Sequence, residues 1–151
     1  MKKNELQLLR QEMQLLDDAN KVLEYSYGKC KDIGIKEKYS LDELDRFEAL
    51  TSRFARVSDI LIQKIFRLID VVELEQAGSV LDRINRAEKR EIIESAIVYR
   101  QIRYLRNEIA HEYVSEQIEE IFKEVLKLTP SLLDGVENVK TYVKGMLEKL
   151  S

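Results

Sequence analysis

From Leu44 to Val72 apolar side chains recur three or four positions apart without a miss: Leu44, Phe47, Leu50, Phe54, Val57, Leu61, Ile65, Leu68 and Val72. A helix returns the same face every 3.6 residues, whereas a strand needs alternation by two, so the interval predicts one long helix. Ser40 or Asp42 is placed to cap it. An apolar seam of this length must be covered, either by other helices of the chain or by a second copy.

The rest of the chain reads the same way. Leu6, Leu9, Met13, Leu16 and Leu23 predict an amphipathic helix ending near Gly28, and residues 28–40 read as a loop. Gly78 marks a stop, and Ser79 can cap a short helix carrying Val80, Leu81 and Ile84. A further helix is expected from about Ile92, with Ile93, Ala96, Ile97, Ile102, Leu105 and Ile109 as its core positions. The last two helices, Ile118 to Leu128 and Leu133 to Leu147, are separated at Thr129–Pro130, because proline lacks the N–H that continues the ladder. With 151 residues, five glycines and one proline, the expectation is a single all-α domain spanning 1–151, an up-and-down bundle of about five or six helices.

Charge and cysteine content narrow the possible functions. Twenty-five Lys and Arg against 28 Asp and Glu leave a net charge of −3, so any binding of nucleic acid must be local rather than driven by the whole surface. One cysteine, Cys30, permits no internal disulfide and no Cys-based zinc site, and no metal or other cofactor is expected. No stretch approaches the roughly 20 apolar residues of a membrane span, and the N-terminal residues mix polar with apolar, so a cytoplasmic protein is expected.

His111 is the only histidine and so the only side chain whose ordinary pKa, about 6.5, suits proton exchange near neutral pH. It lies in the run Arg106-Asn107-Glu108-Ile109-Ala110-His111-Glu112-Tyr113. His111 can accept a proton, and Arg106 can place a cation on a crowded phosphate. Asn107, four residues before His111, can orient the imidazole or touch the phosphate. Five residues separate Arg106 from His111, about 140° on an ideal helix. Either the helix ends before His111, or Arg106 reaches round, or the working pair comes from two chains.

This run resembles the signature of the HEPN superfamily: Arg, four to six residues, then His, with a polar residue after the Arg. The fuller pattern, Arg-x4-His-x-Tyr, is similar to that of the HepT toxins, and Arg106, His111 and Tyr113 satisfy it. Residues 80–89, VLDRINRAEK, resemble more loosely the substrate-binding subunits of nucleotidyltransferases. The resemblance implies a homodimer with facing motifs that cuts RNA without metal, catalysed by Arg106, His111 and Asn107. It also implies a nucleotidyltransferase antitoxin that silences the toxin by transferring AMP to Tyr113. The alternative is a non-catalytic subunit that binds substrate or nucleotide for a nucleotidyltransferase.

Arg103 and Arg100, about one and two turns before Arg106, are candidate RNA-binding residues, and Arg83, Arg86 and Arg90 could lengthen the track. Equally, these arginines can be solvated partners of Glu88, Glu91 and Glu94.

Overall fold

The computed structural model describes residues 2–111 and 115–150. They form α1 (Lys2–Ile33), α2 (Leu41–Ser58), a π-helical segment (Asp59–Ile65), α3 (Phe66–Val72), α4 (Val80–Lys89), α5 (Ala96–His111) and α6 (Ser115–Leu150). The second, third and fourth of these run on without a break, so five rods pack together, with no strand among the described residues.

The long seam behaves as its spacing predicts. Phe47, Leu50, Phe54, Val57, Leu61, Ile65, Leu68 and Val72 are all buried. Ser40 caps α2 through a reciprocal box with Glu43. Within the seam, Ile60, Leu61 and Ile62 are consecutive and all buried. The backbone widens there, and the Phe66 N–H reaches back to the Leu61 carbonyl, five residues away. Phe47 stacks on Phe122 of α6 at 4.7 Å, and Tyr39 meets both rings edge-on.

Three boundaries differ from expectation. Helix α1 does not stop near Gly28 but continues to Ile33, where Gly34 takes a left-handed φ of 73°. Leu9, Leu16, Leu23 and Cys30 are spaced by seven and all lie in the core, so the buried stripe carries the helix past Gly28, which stands over open space. The helix expected from Ile92 starts only at Ala96: Ile92 and Ile93 are buried in the connecting turn, and the Ser95 hydroxyl and Glu88 carboxylate accept the first N–H groups. Ile97, expected in the core, is exposed.

Pro130 does not divide the C-terminal region into separate helices, since α6 runs through it. Ile121, Phe122, Val125, Leu128, Leu132, Val136, Val139 and Val143 form one unbroken buried stripe, and tertiary packing of that stripe outweighs the missing N–H. The Thr129 hydroxyl donates to the Val125 carbonyl at 2.6 Å just ahead of the proline.

Between α3 and α4 the chain is tied by charge. The buried Asp70 carboxylate accepts from Arg86 at 2.9 Å and Arg90 at 2.6 Å, and Arg90 also reaches Glu73 and Glu75. Arg86 and Arg90 therefore hold the α3–α4 corner together instead of pairing with Glu88, Glu91 or Glu94.

Candidate functional site

Helix α5 remains helical as far as His111, so the helix does not end before the imidazole. Arg106 and His111 consequently keep their wide angular separation and line different cavities.

Arg106 turns toward the π-helical segment. Its Nε donates to Asp59 Oδ1 at 2.7 Å and its Nη2 to Oδ2 at 2.9 Å, a side-on fork between planar groups. Asp59 is the first residue of the π-helical segment, so the widened turn sets the position of the carboxylate that Arg106 grips. Around the pair lies an open groove of about 630 Å³. Arg103, Arg106 and Asn107 form its α5 wall; Arg56, Asp59, Gln63 and Lys64 form the wall opposite; Glu12 and Leu15 of α1 complete it. Four cationic side chains thus face two acidic ones in a chain whose net charge is −3. The Nε of Arg103 is buried and has no hydrogen-bond acceptor among the described residues.

His111 is exposed at the end of α5, in a cleft of about 410 Å³ between α5 and α6. Its neighbours there are Tyr104, Leu105, Ile121 and three carboxylates, Glu108, Glu120 and Glu124. Arg100 lines the continuation of this cleft with Ile97 and Tyr104, and its Nη2 donates to Asn85 at 3.1 Å. Arg100 and Arg103 therefore line separate cavities.

Of the residues singled out in the sequence, the structure brings Arg106, Asn107 and Arg103 together, and sets His111 and Arg100 apart from them. Tyr113 lies outside the described residues. Arg56, Asp59, Gln63 and Lys64 had no sequence signal beyond their polarity, because their common wall depends on a π-helical turn that periodicity does not reveal.

Among the described residues no group of three or more His, Cys, Asp or Glu side chains could hold a metal ion, and no helix is long and apolar enough to cross a membrane. Comparison with family models, with curated proteins and with solved structures gives no match for this chain.

Proposed function

We propose that this chain is a metal-independent endoribonuclease of the HEPN kind, acting as a homodimer beside a nucleotidyltransferase antitoxin that modifies Tyr113. The observation that carries the reading is the groove holding Arg106, Asn107 and Arg103, a local excess of positive charge on an acidic chain.

In the reaction the 2′-oxygen attacks phosphorus, its proton passes to an imidazole, and the P–O5′ bond breaks as the leaving 5′-oxygen takes up a proton. The products are a 2′,3′-cyclic phosphate and a 5′-hydroxyl. Arg106 and Asn107 would stabilise the charge on the non-bridging oxygens. Each chain has a single imidazole, lining a different cavity from Arg106. A second chain that brings its own His111 to this groove supplies the missing proton carrier, which favours the dimeric arrangement.

A specific observation favours the alternative, a substrate- or nucleotide-binding subunit of a nucleotidyltransferase. His111 shares its cleft with Glu108, Glu120 and Glu124, which repel a phosphodiester. The deciding test incubates the purified, unmodified chain with RNA in EDTA, alongside Arg106→Ala and His111→Ala. The ribonuclease reading expects cyclic-phosphate ends with the parent chain and at least a hundredfold loss in each variant. An intact RNA pool after incubation with the parent chain transfers the assignment to the binding subunit.

A further inference from the structure

Helix α1 sends Leu9, Leu16, Leu23 and Cys30 into the core, and a second apolar line runs along its flank. Leu8, Leu15 and Val22 are also spaced by seven, yet they are 46%, 43% and 41% exposed. Seven residues come close to two full turns, so the three form one stripe. Counted from Leu15 at about 100° per residue, Gln11 and Asp18 fall on one side of it, and Glu12 and Ala19 on the other. The Glu12 side opens on the groove, which Glu12 and Leu15 line together with Arg106, Asn107 and Ala110. On the opposite side the exposed positions next to Leu8 and Leu15 are Gln7, Gln11 and Gln14, three of the seven glutamines in a chain that is 35% charged. Apolar side chains with an uncharged border are what the centre of a protein interface carries.

We propose that this stripe seats a second copy of the chain, packed antiparallel with Leu15 on the twofold axis, so that His111 of the partner subunit reaches the Arg106 groove. The inference rests on the reading of that groove as one half of a composite site. The pattern is self-complementary, as a twofold axis demands. Leu8 and Val22 lie seven residues either side of Leu15, so each meets the other across the axis. Gln11 and Asp18, four before and three after, share one side and meet amide to carboxylate. Asp18 already accepts from Gln14 at 3.1 Å through one oxygen, which leaves the second to accept from Gln11. Glu12 faces Ala19, so the pairing opposes no like charges at its centre. A stable interface takes about 800 Å² from each partner. The rise from Leu8 to Val22 is only about 21 Å, so one helix flank cannot supply that area and the contact must extend over the groove rim. Ala110, the residue before His111, is already on that rim beside Leu15. An axis at Leu15 therefore brings the end of the second copy's α5, and with it His111 of the partner subunit, to this groove.

Sedimentation velocity on the full chain should show a dimer, and Leu15→Asp, which puts a charge at the centre of the contact, should raise its dissociation constant roughly a hundredfold. Leu15→Cys gives a readout that does not depend on lost binding. Side chains on a twofold axis meet their own copies, so mild oxidation should link two chains through the new thiols. Leu81→Cys, equally exposed but on α4, should stay unlinked, as should the parent, whose single thiol on Cys30 is buried. Mixing Arg106→Ala with His111→Ala should restore about a quarter of the parent's RNA cleavage, since half of randomly paired dimers hold one complete site of two. Adding Leu15→Asp to both chains should remove that recovery.

A monomeric parent, an unchanged dissociation constant in Leu15→Asp, or Leu15→Cys that links no better than Leu81→Cys would overturn the inference. So would a recovery of cleavage that survives Leu15→Asp, or a parent that cleaves RNA while the mixture recovers nothing. With a parent that cleaves no RNA, the ribonuclease reading falls, and sedimentation and cross-linking alone uphold or overturn the α1 contact.

Discussion

The carboxylate of Asp59 occupies the Nε–Nη2 edge of Arg106, the edge that a phosphate group would otherwise take. The pair is well aligned but partly exposed, with side-chain exposures of 42% for Asp59 and 28% for Arg106, so solvent screens much of its worth. Asp59→Asn removes a competing anion from a groove whose other charges are mostly positive. On the proposed ribonuclease reading, RNA affinity should rise roughly threefold to fivefold, with a stability loss of no more than about 1 kcal/mol. Anisotropy and urea unfolding measure the two effects. A fall in affinity would mean that Asp59 orients Arg106 for the ligand rather than competing with it.

Gly135 of α6 is fixed by Tyr99 of α5. A Cβ at residue 135 would sit 1.8 Å from the Tyr99 hydroxyl oxygen and 2.9 Å from Cζ. That hydroxyl is itself committed, donating to the Ser131 carbonyl at 2.8 Å. In an ordinary helix glycine to alanine stabilises by up to about 1 kcal/mol, but overpacking here should reverse the sign and cost about 1–3 kcal/mol. Adding Tyr99→Phe removes the clashing oxygen and should recover some of the loss. Urea midpoints of the two single variants and the double variant test this, and strict additivity would refute the contact as the cause.

Much of this architecture is legible in the sequence because helical burial leaves a strong periodic trace. The seam from Leu44 to Val72 needs no tertiary information to be recognised, and the Ser79–Asp82 capping box is a local pattern. Where reading fails, a local signal competes with a distant one. Gly28 looks like a helix end until Cys30 is seen to extend the stripe of Leu9, Leu16 and Leu23 by one more interval of seven. The site is less legible than the fold. The sequence marks Arg106, Asn107 and Arg103 on one helix, but Asp59 is 47 residues away in the chain and meets Arg106 only through tertiary packing. The opposing environments of Arg106 and His111 likewise arise from different neighbouring helices.

Pro130 gives that competition a measurable form. Proline inside a helix forfeits one hydrogen bond and crowds the preceding turn, a cost of about 3 kcal/mol, partly offset by the stiffer unfolded chain, worth about 0.4–1 kcal/mol. Since α6 is continuous through this residue, Pro130→Ala should stabilise the fold by about 2 kcal/mol and leave helical content unchanged. Were the chain to break into two helices at Thr129–Pro130, the same substitution would have little effect on stability. Denaturant unfolding followed by circular dichroism separates these outcomes.

Alkaline pH should destabilise the chain through one buried phenol, Tyr99, and one half-buried phenol, Tyr142. Burial, and then the nearby Asp134 carboxylate, drives Tyr99 far above the ordinary tyrosine range. Burial, followed by the hydrogen bond that its hydroxyl donates to Glu73, pushes Tyr142 up to about 12. Both pKa values are raised in the folded state, so the fold favours the protonated phenol. The stability this contributes is complete below the unfolded-state value near 10 and is lost as pH rises through the folded values. Urea midpoints should therefore begin to fall above about pH 10, the ordinary phenol value. The fall should be shallower in Tyr142→Phe, whose ultraviolet titration should also lack one late-ionising phenol. Identical titration curves for the parent and Tyr142→Phe would show that Tyr142 ionises no later than an exposed tyrosine. That result would break the proposed link between the α3 end, where Glu73 sits, and the C-terminal half of α6.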